Sequence, residues 1–203
     1  MPNTKSAALK NSQLDQEETF IGTAPQLRGY NGTMPANADA ALAGNTLLAQ
    51  GALPSDWLAA AAAGVKAKAG AWTMTGQAAA GAGTAMTFYR LYESTGTTCH
   101  RQGTLGAAIA IATSALTVAN SNVLNFATTT GVAVGQNITG TGIPVNATVL
   151  AFTGTTVTMS HASTAGVASA ASITFGYDMT IDNASVAVSQ VINVNTYSIT
   201  AGN

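Results

Sequence analysis

Cys99 and His100 are the residue types from which a nucleophile and its base could be made, with His161 as a second candidate base. A triad hydrolase needs both groups within hydrogen-bond reach, plus a third group to orient the base. Neighbours in a strand point to opposite faces, so Cys99 and His100 cannot activate one another there. They read as a packed cysteine and ordinary histidines. Glu93, Asp178 and Asp182 could supply paired carboxylates for acid–base work on a sugar. A regular strand puts Asp178 and Asp182 about 13 Å apart, too far for either glycosidase geometry, so they read as loop-capping acids. No His, Cys and carboxylate cluster has metal-ligand spacing. Gly81-Ala82-Gly83-Thr84 lacks the lysine of a phosphate loop. The Asn-x-Ser/Thr matches at Asn31, Asn137, Asn146 and Asn183 follow from abundant Ser, Thr and Asn. Trp57, Trp72, Tyr89 and Tyr92 could stack on a sugar, but aromatics more often fill cores and interfaces. No catalytic residue, metal ligand or cofactor site is assigned.

The composition narrows the function classes. Charged residues make up 7% of the 203-residue chain and the net charge is −1, against roughly 25% charged residues in an average globular protein. Little charge repulsion keeps copies apart, which favours an assembly component. Only Lys66 and Lys68 lie close together, so the chain lacks the basic clusters that bind nucleic acid. A single cysteine excludes an intramolecular disulfide. No apolar run approaches the roughly 20 residues of a membrane helix. Lys5 and Lys10 precede no apolar core, so no signal peptide is read and synthesis in a cytoplasm without Sec export is expected.

Thr84 to Gln102 is the stretch around which the other elements are arranged. Residues 84–93 are dense in β-branched and aromatic side chains. Alternation places Met86, Phe88, Arg90 and Tyr92 on one face and Ala85, Thr87, Tyr89 and Leu91 on the other. Both faces are bulky, which predicts a central strand covered on each side. Residues 94–97 form a link of hairpin length, and 98–102 returns antiparallel. Upstream, 26–33 reads as a strand with a turn at Asn31-Gly32, 35–42 as a turn capped by Asn37, and 47–49 as a strand. Ser55 could cap a short helix through the Ala run to Ala63. Trp72 to Thr75 is a further strand. Residues 2–25 read either as an arm or as a short helix over 10–19. The apolar groups there (Leu9, Leu14, Phe20, Ile21) are few and irregular, so the segment is expected to order against a neighbouring subunit.

No Asp, Glu, Lys or Arg occurs between Arg101 and Asp178. Short β-branched runs alternate there with Gly, Asn and Ser turns, the texture of a small β module. The alternation of 186–199 resumes the style of the first part. The expected organisation is an N-terminal arm (1–25), a β body (26–105 and 177–203) and an inserted β module (106–176). The expected fold is mainly β, an antiparallel sandwich or jelly-roll-like body with short helices.

Pro35-Ala36-Asn37-Ala38-Asp39-Ala40-Ala41-Leu42-Ala43-Gly44-Asn45-Thr46-Leu47-Leu48-Ala49 resembles a motif in small structural proteins of tailed-phage virions. As in that group, it is followed by a Gly-Thr-Ala…Phe-x-Arg-Leu strand (Gly83 to Ala85, Phe88, Arg90, Leu91), a Ser-Gly-Thr-type hairpin, and Gln102 to Gly106. Met179 to Asn183 and Val191 to Thr200 resemble its closing pair. Tyr89, standing between Phe88 and Arg90, and the insertion depart from the simpler members. Val134 to Pro144, Thr148-Val149 and Gly154 to Ser160 resemble a separate β module of phage head and tail appendages. The resemblance implies a non-enzymatic capsid decoration or cement protein on the virion, with the capsid surface favoured over the tail. Its implied partners are the major capsid protein and further copies of itself, as a homo-oligomer in the particle. Neither nucleic acid, membrane nor cofactor is implied. The alternative is a fibre module binding a host receptor or glycan.

Overall fold

The structure is a computed structural model that describes residues 4–201; Met1–Asn3 of the expected arm and the last two residues of the expected body lie outside the described residues. The chain divides into two compact units, one of residues up to Gly106 together with those from Met179 onward, the other Ala107–Asp178. It is mainly β. The described residues form a helix α1 (Ala7–Ile21) and the strands β1 (Gln26–Tyr30), β2 (Leu47–Ala52), β3 (Val65–Ala67), β4 (Thr73–Gly76), β5 (Thr84–Ala85), β6 (Phe88–Tyr92), β7 (Cys99–Gly106), β8 (Ile109–Ala112), β9 (Val123–Asn125), β10 (Asn137–Thr139), β11 (Val149–Phe152), β12 (Thr156–Met159), β13 (Ser172–Gly176), β14 (Met179–Ile181), β15 (Ser185–Val186) and β16 (Val191–Thr200).

The first unit closes on itself. Its strands run β14-β7-β6-β1-β2-β4-β16, and β16 pairs again with β14, so the sheet is a barrel, with β3 added on β16. All neighbours are antiparallel except β7 and β14, which are parallel with Leu105 opposite Met179. The mainly β body expected from the alternation thus takes the form of a barrel with one parallel pair. Period-2 alternation specifies which side chains face inward, but says nothing about which strand meets which, and the closing pair β7–β14 joins strands 72 residues apart in the chain.

β6 is the central strand that its alternation predicts, with all five residues buried. Tyr89 and Leu91 face inward into a core with Trp57, Trp72, Met74, Ile192 and Tyr197. Phe88 and Tyr92 face outward and join Tyr30 and Cys99 in a second cluster. Met86 departs from the expected pattern. It lies in the bend between β5 and β6 and packs in the inner core, not beside Phe88. On β16 the predicted alternation holds for Ile192 and Val194 and then slips by one residue. A bulge against β14, where Thr180 faces Thr196 but Ile181 faces Val194, turns Tyr197 and Ile199 inward.

Two expectations are corrected. The Ala run after Ser55 is not a helix. Trp57 to Ala69 is an irregular hairpin, with Ala59 N–H bonded to Ala67 O at 2.8 Å and Ala69 N–H to Trp57 O at 2.8 Å. Its tip, Ala63-Gly64, has φ +53° and +78°, the left-handed pair of a two-residue hairpin turn. Burial of Trp57 and Leu58 in the core outweighs alanine's helix propensity.

The N-terminal segment is a helix, and it orders on its own body. Ser6 Oγ accepts from Leu9 N–H at 3.2 Å and caps it, and Gly22 ends it with its N–H on Glu18 O at 2.9 Å. Leu14 and Ile21 sit in the barrel core. The other anchors are polar. Lys66 of β3, 3% exposed, pairs with Asp15 at 2.6 Å and Glu18 at 2.8 Å. Glu17 pairs with Arg101, the inward residue opposite Leu91 at the start of β7. Asn11 Oδ1 accepts from Gly64 N–H, and Trp57 Nε1–H donates to Gly22 O. Asp15, Glu17 and Glu18 thus hold the helix on its own body, where docking on a neighbouring subunit was expected.

In the unit Ala107–Asp178, two three-stranded sheets, β10-β13-β8 and β11-β12-β9, enclose a core of Leu124, Phe126, Ile138, Val157, Ile173, Phe175 and smaller neighbours. Bridges Asn137–Thr148 and Thr113–Phe126 tie the sheets to each other.

Candidate functional site

The residues whose types suggested chemistry are dispersed. Cys99 lies in the outer cluster with Tyr30, Phe88 and Tyr92, its thiol donating to Arg101 O at 3.2 Å. Burial pushes its pKa up. His100 takes another direction, edge-on to Phe20 with ring centres 5.2 Å apart and Nε2 3.3 Å from Glu93 Oε2. His161 belongs to the other unit, where Nδ1 lies 2.9 Å from Ser160 Oγ. Asp182 accepts from Asn193 N–H at 3.0 Å and Asn193 Nδ2 at 2.7 Å. Among the described residues no group of three or more His, Cys, Asp or Glu could hold a metal. Trp57, Trp72 and Tyr89 are fully buried and present no stacking platform. Lys66 is committed to Asp15 and Glu18.

Glu93 organises the hairpin turn between β6 and β7. Its carboxylate accepts from Thr95 Oγ1 at 2.5 Å and from the N–H groups of Thr97 and Thr98, each at 2.8 Å. The Thr95 hydroxyl and then the Thr98 and Thr97 N–H groups bring its pKa down to about 2. This is a turn-capping acid.

The arrangement that the sequence did not announce lies on the outer face of β1 and β6. The two strands pair with Arg28 opposite Arg90 and Tyr30 opposite Phe88. The Tyr30 and Phe88 rings stack with centres 5.4 Å apart, and the Tyr30 and Tyr92 hydroxyls lie 3.2 Å apart. Residues 31–46 fold over this face. Asn45 Nδ2 donates to Asn31 O and Thr33 O, and Asn37 Oδ1 accepts from Ala40 N–H. Arg90, 4% exposed, fastens the loop from below. Its Nη2 donates to Asn37 O at 3.2 Å and Ala40 O at 2.6 Å, and Nε and Nη2 both reach Gln102 Oε1. Gln102 Nε2 in turn donates to Pro35 O. Pro35, Asn37 and Ala40 of the loop and Arg90 of β6 thus meet through one buried guanidinium and its partner Gln102.

Beside it opens a cavity of about 360 Å³, lined by Asp39 and its loop neighbours, Arg90, Tyr92, Thr97 and Cys99. Arg28 borders the same ring, its guanidinium carbon 4.6 Å from the Tyr92 ring centre. The one advance signal was the repeated Arg-x-Tyr of Arg28-Gly29-Tyr30 and Arg90-Leu91-Tyr92, which carries no information about pairing.

The Ala107–Asp178 unit offers a different surface. Apart from Asp178 it has no Asp, Glu, Lys or Arg. Leu116, Val118, Val134, Val145 and Leu150 are each more than half exposed, and Phe152 is 44% exposed. Comparison of the chain with family models, with curated proteins and with solved structures gives no match.

Proposed function

We propose that this chain is a non-enzymatic structural protein of a tailed-phage virion, a capsid decoration or cement protein that binds the capsid lattice and strengthens it. The observation that carries the reading is the surface of the Ala107–Asp178 unit, which has no Asp, Glu, Lys or Arg apart from Asp178 and leaves Leu116, Val118, Val134, Val145 and Leu150 in water. Such a surface is costly for a free monomer and suited to burial against a partner. The resemblance of Pro35–Ala49, Phe88–Leu91 and the closing strands to virion proteins supports the same reading. So does the barrel, whose closure leaves few strand edges to pair at random.

The test is a density map of purified particles carrying the chain. Density on the outer capsid, at a copy number that follows the capsid protein, is the expected result. Density confined to a fibre tip, or binding of a soaked glycan by the isolated chain, would favour the fibre alternative and overturn this one.

A further inference from the structure

Arg28 is met by two tyrosines, through a hydrogen bond to the Tyr30 side chain and the face of the Tyr92 ring, and by no carboxylate among the described residues. Lys66 has Asp15 and Glu18, Arg101 has Glu17, and the buried Arg90 has three oxygen acceptors. Arg28 forms no ion pair with a described residue, and its Nε is buried without a hydrogen-bond partner. It also stands directly opposite Arg90 in the β1–β6 ladder. Like charges facing across a sheet destabilise it, and an unmet buried donor costs more than a met one gains.

The surroundings hold Arg28 in place. Its guanidinium lies over the Tyr92 ring, and it reaches under the turn at Gly96. Gly96 has φ +71°, and a Cβ there would collide with the Arg28 guanidinium, so the turn leaves room for this one side chain. The group is only partly covered, and its neighbours Tyr92 and Thr97 line the cavity beside Arg90.

We propose that Arg28, with Tyr92 and Arg90 behind it, is a docking site for a carboxylate carried by an acidic side chain of a partner protein. A guanidinium presents a planar pair of N–H donors that matches a carboxylate bidentately. Asp39 lines the same cavity and repels a doubly charged phosphate more than a singly charged carboxylate. The identity of the partner as a capsid lattice rests on the reading above. The site itself is tested on the isolated chain, so the two can fail separately.

The chain has three arginines, Arg28, Arg90 and Arg101, so its arginine Nε–H signals are few enough to assign in a ¹⁵N NMR spectrum by substitution. Sodium acetate serves as the side-chain probe, with sodium chloride and sodium phosphate at matched ionic strength as controls. The expected result is a saturable shift of the Arg28 Nε–H signal in acetate, at most a small one in chloride, and none for Arg101. Arg28→Gln should remove the responding signal while the rest of the spectrum stays dispersed. No response of Arg28, the same response in chloride, or a stronger response to phosphate would each overturn the proposal. A second measurement separates a docking group from a structural one. Arg28→Met should keep or raise the Tm of the isolated chain, because it relieves the clash with Arg90. A fall of several degrees would mean that Arg28 serves the fold.

Discussion

In the barrel unit the core is filled by Trp57, Trp72, Tyr89 and Tyr197, with Trp72 and Tyr197 ring centres 5.1 Å apart and Tyr89 edge-on to Tyr197 at 5.8 Å. In the Ala107–Asp178 unit it is filled mainly by Val, Ile, Leu and Ala, with Phe126 and Phe175 as its one ring pair. The barrel holds every Lys and Arg of the chain and every acid but Asp178, and it sets Lys66, Arg101 and Arg90 to work on its own elements. The smaller unit is held by backbone pairing and Thr or Ser hydroxyls, as where Thr113 Oγ1 donates to Ala168 O at 2.7 Å. It leaves apolar side chains outside. The contrast is between a unit that ties Lys66, Arg90 and Arg101 into its own elements and one that carries almost no charge and leaves apolar side chains exposed.

The strongest way to break that comparison is to hollow each core. Trp72→Ala and Phe175→Ala should each cost about 3–5 kcal/mol, since both rings are buried. Calorimetry should show Trp72→Ala lowering the barrel's transition and Phe175→Ala lowering that of the smaller unit. If either variant shifted a single common transition, the units would be one cooperative body and the division would fail.

A smaller effect is expected at the helix anchor. Lys66→Met keeps the buried stem but strands Asp15 and Glu18, and should cost about 1–2 kcal/mol, within the ordinary range for one substitution. Amides of Ala7–Ile21 should exchange faster while those of β6 do not. The hydrogen bond from Lys66 depresses the Asp15 pKa. A depressed carboxylate contributes stability above its unfolded pKa and loses it as pH falls through the folded value. The helix should therefore loosen in acid, below the usual carboxylate range, and Lys66→Met should remove that dependence. Exchange independent of both changes would mean that Leu14 and Ile21 suffice to hold it.

The helix also marks where sequence reading stops. Asp15, Glu17 and Glu18 look like a solvated run because nothing local shows that Lys66 and Arg101 will lie beneath them. The central strand was legible because Phe88 to Tyr92 carries bulk on both faces, which only a covered strand tolerates. Barrel closure was not, because β7 and β14 meet across a whole inserted unit. The Ala run misled because its conformation is set by Trp57 and the Ala63-Gly64 turn, not by alanine. On the outer face, Arg28 and Arg90 are each unremarkable alone. Their meaning comes from register, which the antiparallel pairing of β1 and β6 creates.

Glu93 gives a finer test of the barrel's use of charge. Its pKa of about 2 lies below the ordinary 4.5 because Thr95, Thr98 and Thr97 bond to the ionised form. The stabilisation is present above about pH 4.5 and is lost as pH falls toward 2. Glu93→Gln should lower the Tm near neutral pH, with the gap to the parent chain closing over that interval. A gap that did not change with pH would assign the effect to packing instead.

The smallest effect on stability is expected where the effect on assembly should be largest. Leu116 and Val118 stand on either side of Thr117, which is buried and pairs with Val167 through both backbone groups. The pairing turns Thr117 inward and leaves its two neighbours facing water, 64% and 67% exposed. Substitutions at exposed positions away from caps and ion pairs usually change stability by less than about 0.5 kcal/mol. Leu116→Thr with Val118→Thr also keeps a residue suited to extended backbone at both positions. The double variant should therefore unfold within a degree or two of the parent. Its association should weaken, measured by sedimentation of the isolated chain and by retention on particles. Unchanged association would free this face from any contact role and move the case for one to Val134, Leu150 and Phe152. A large loss of stability would show that Leu116 and Val118 are part of the core after all, and the contrast between the two units would narrow.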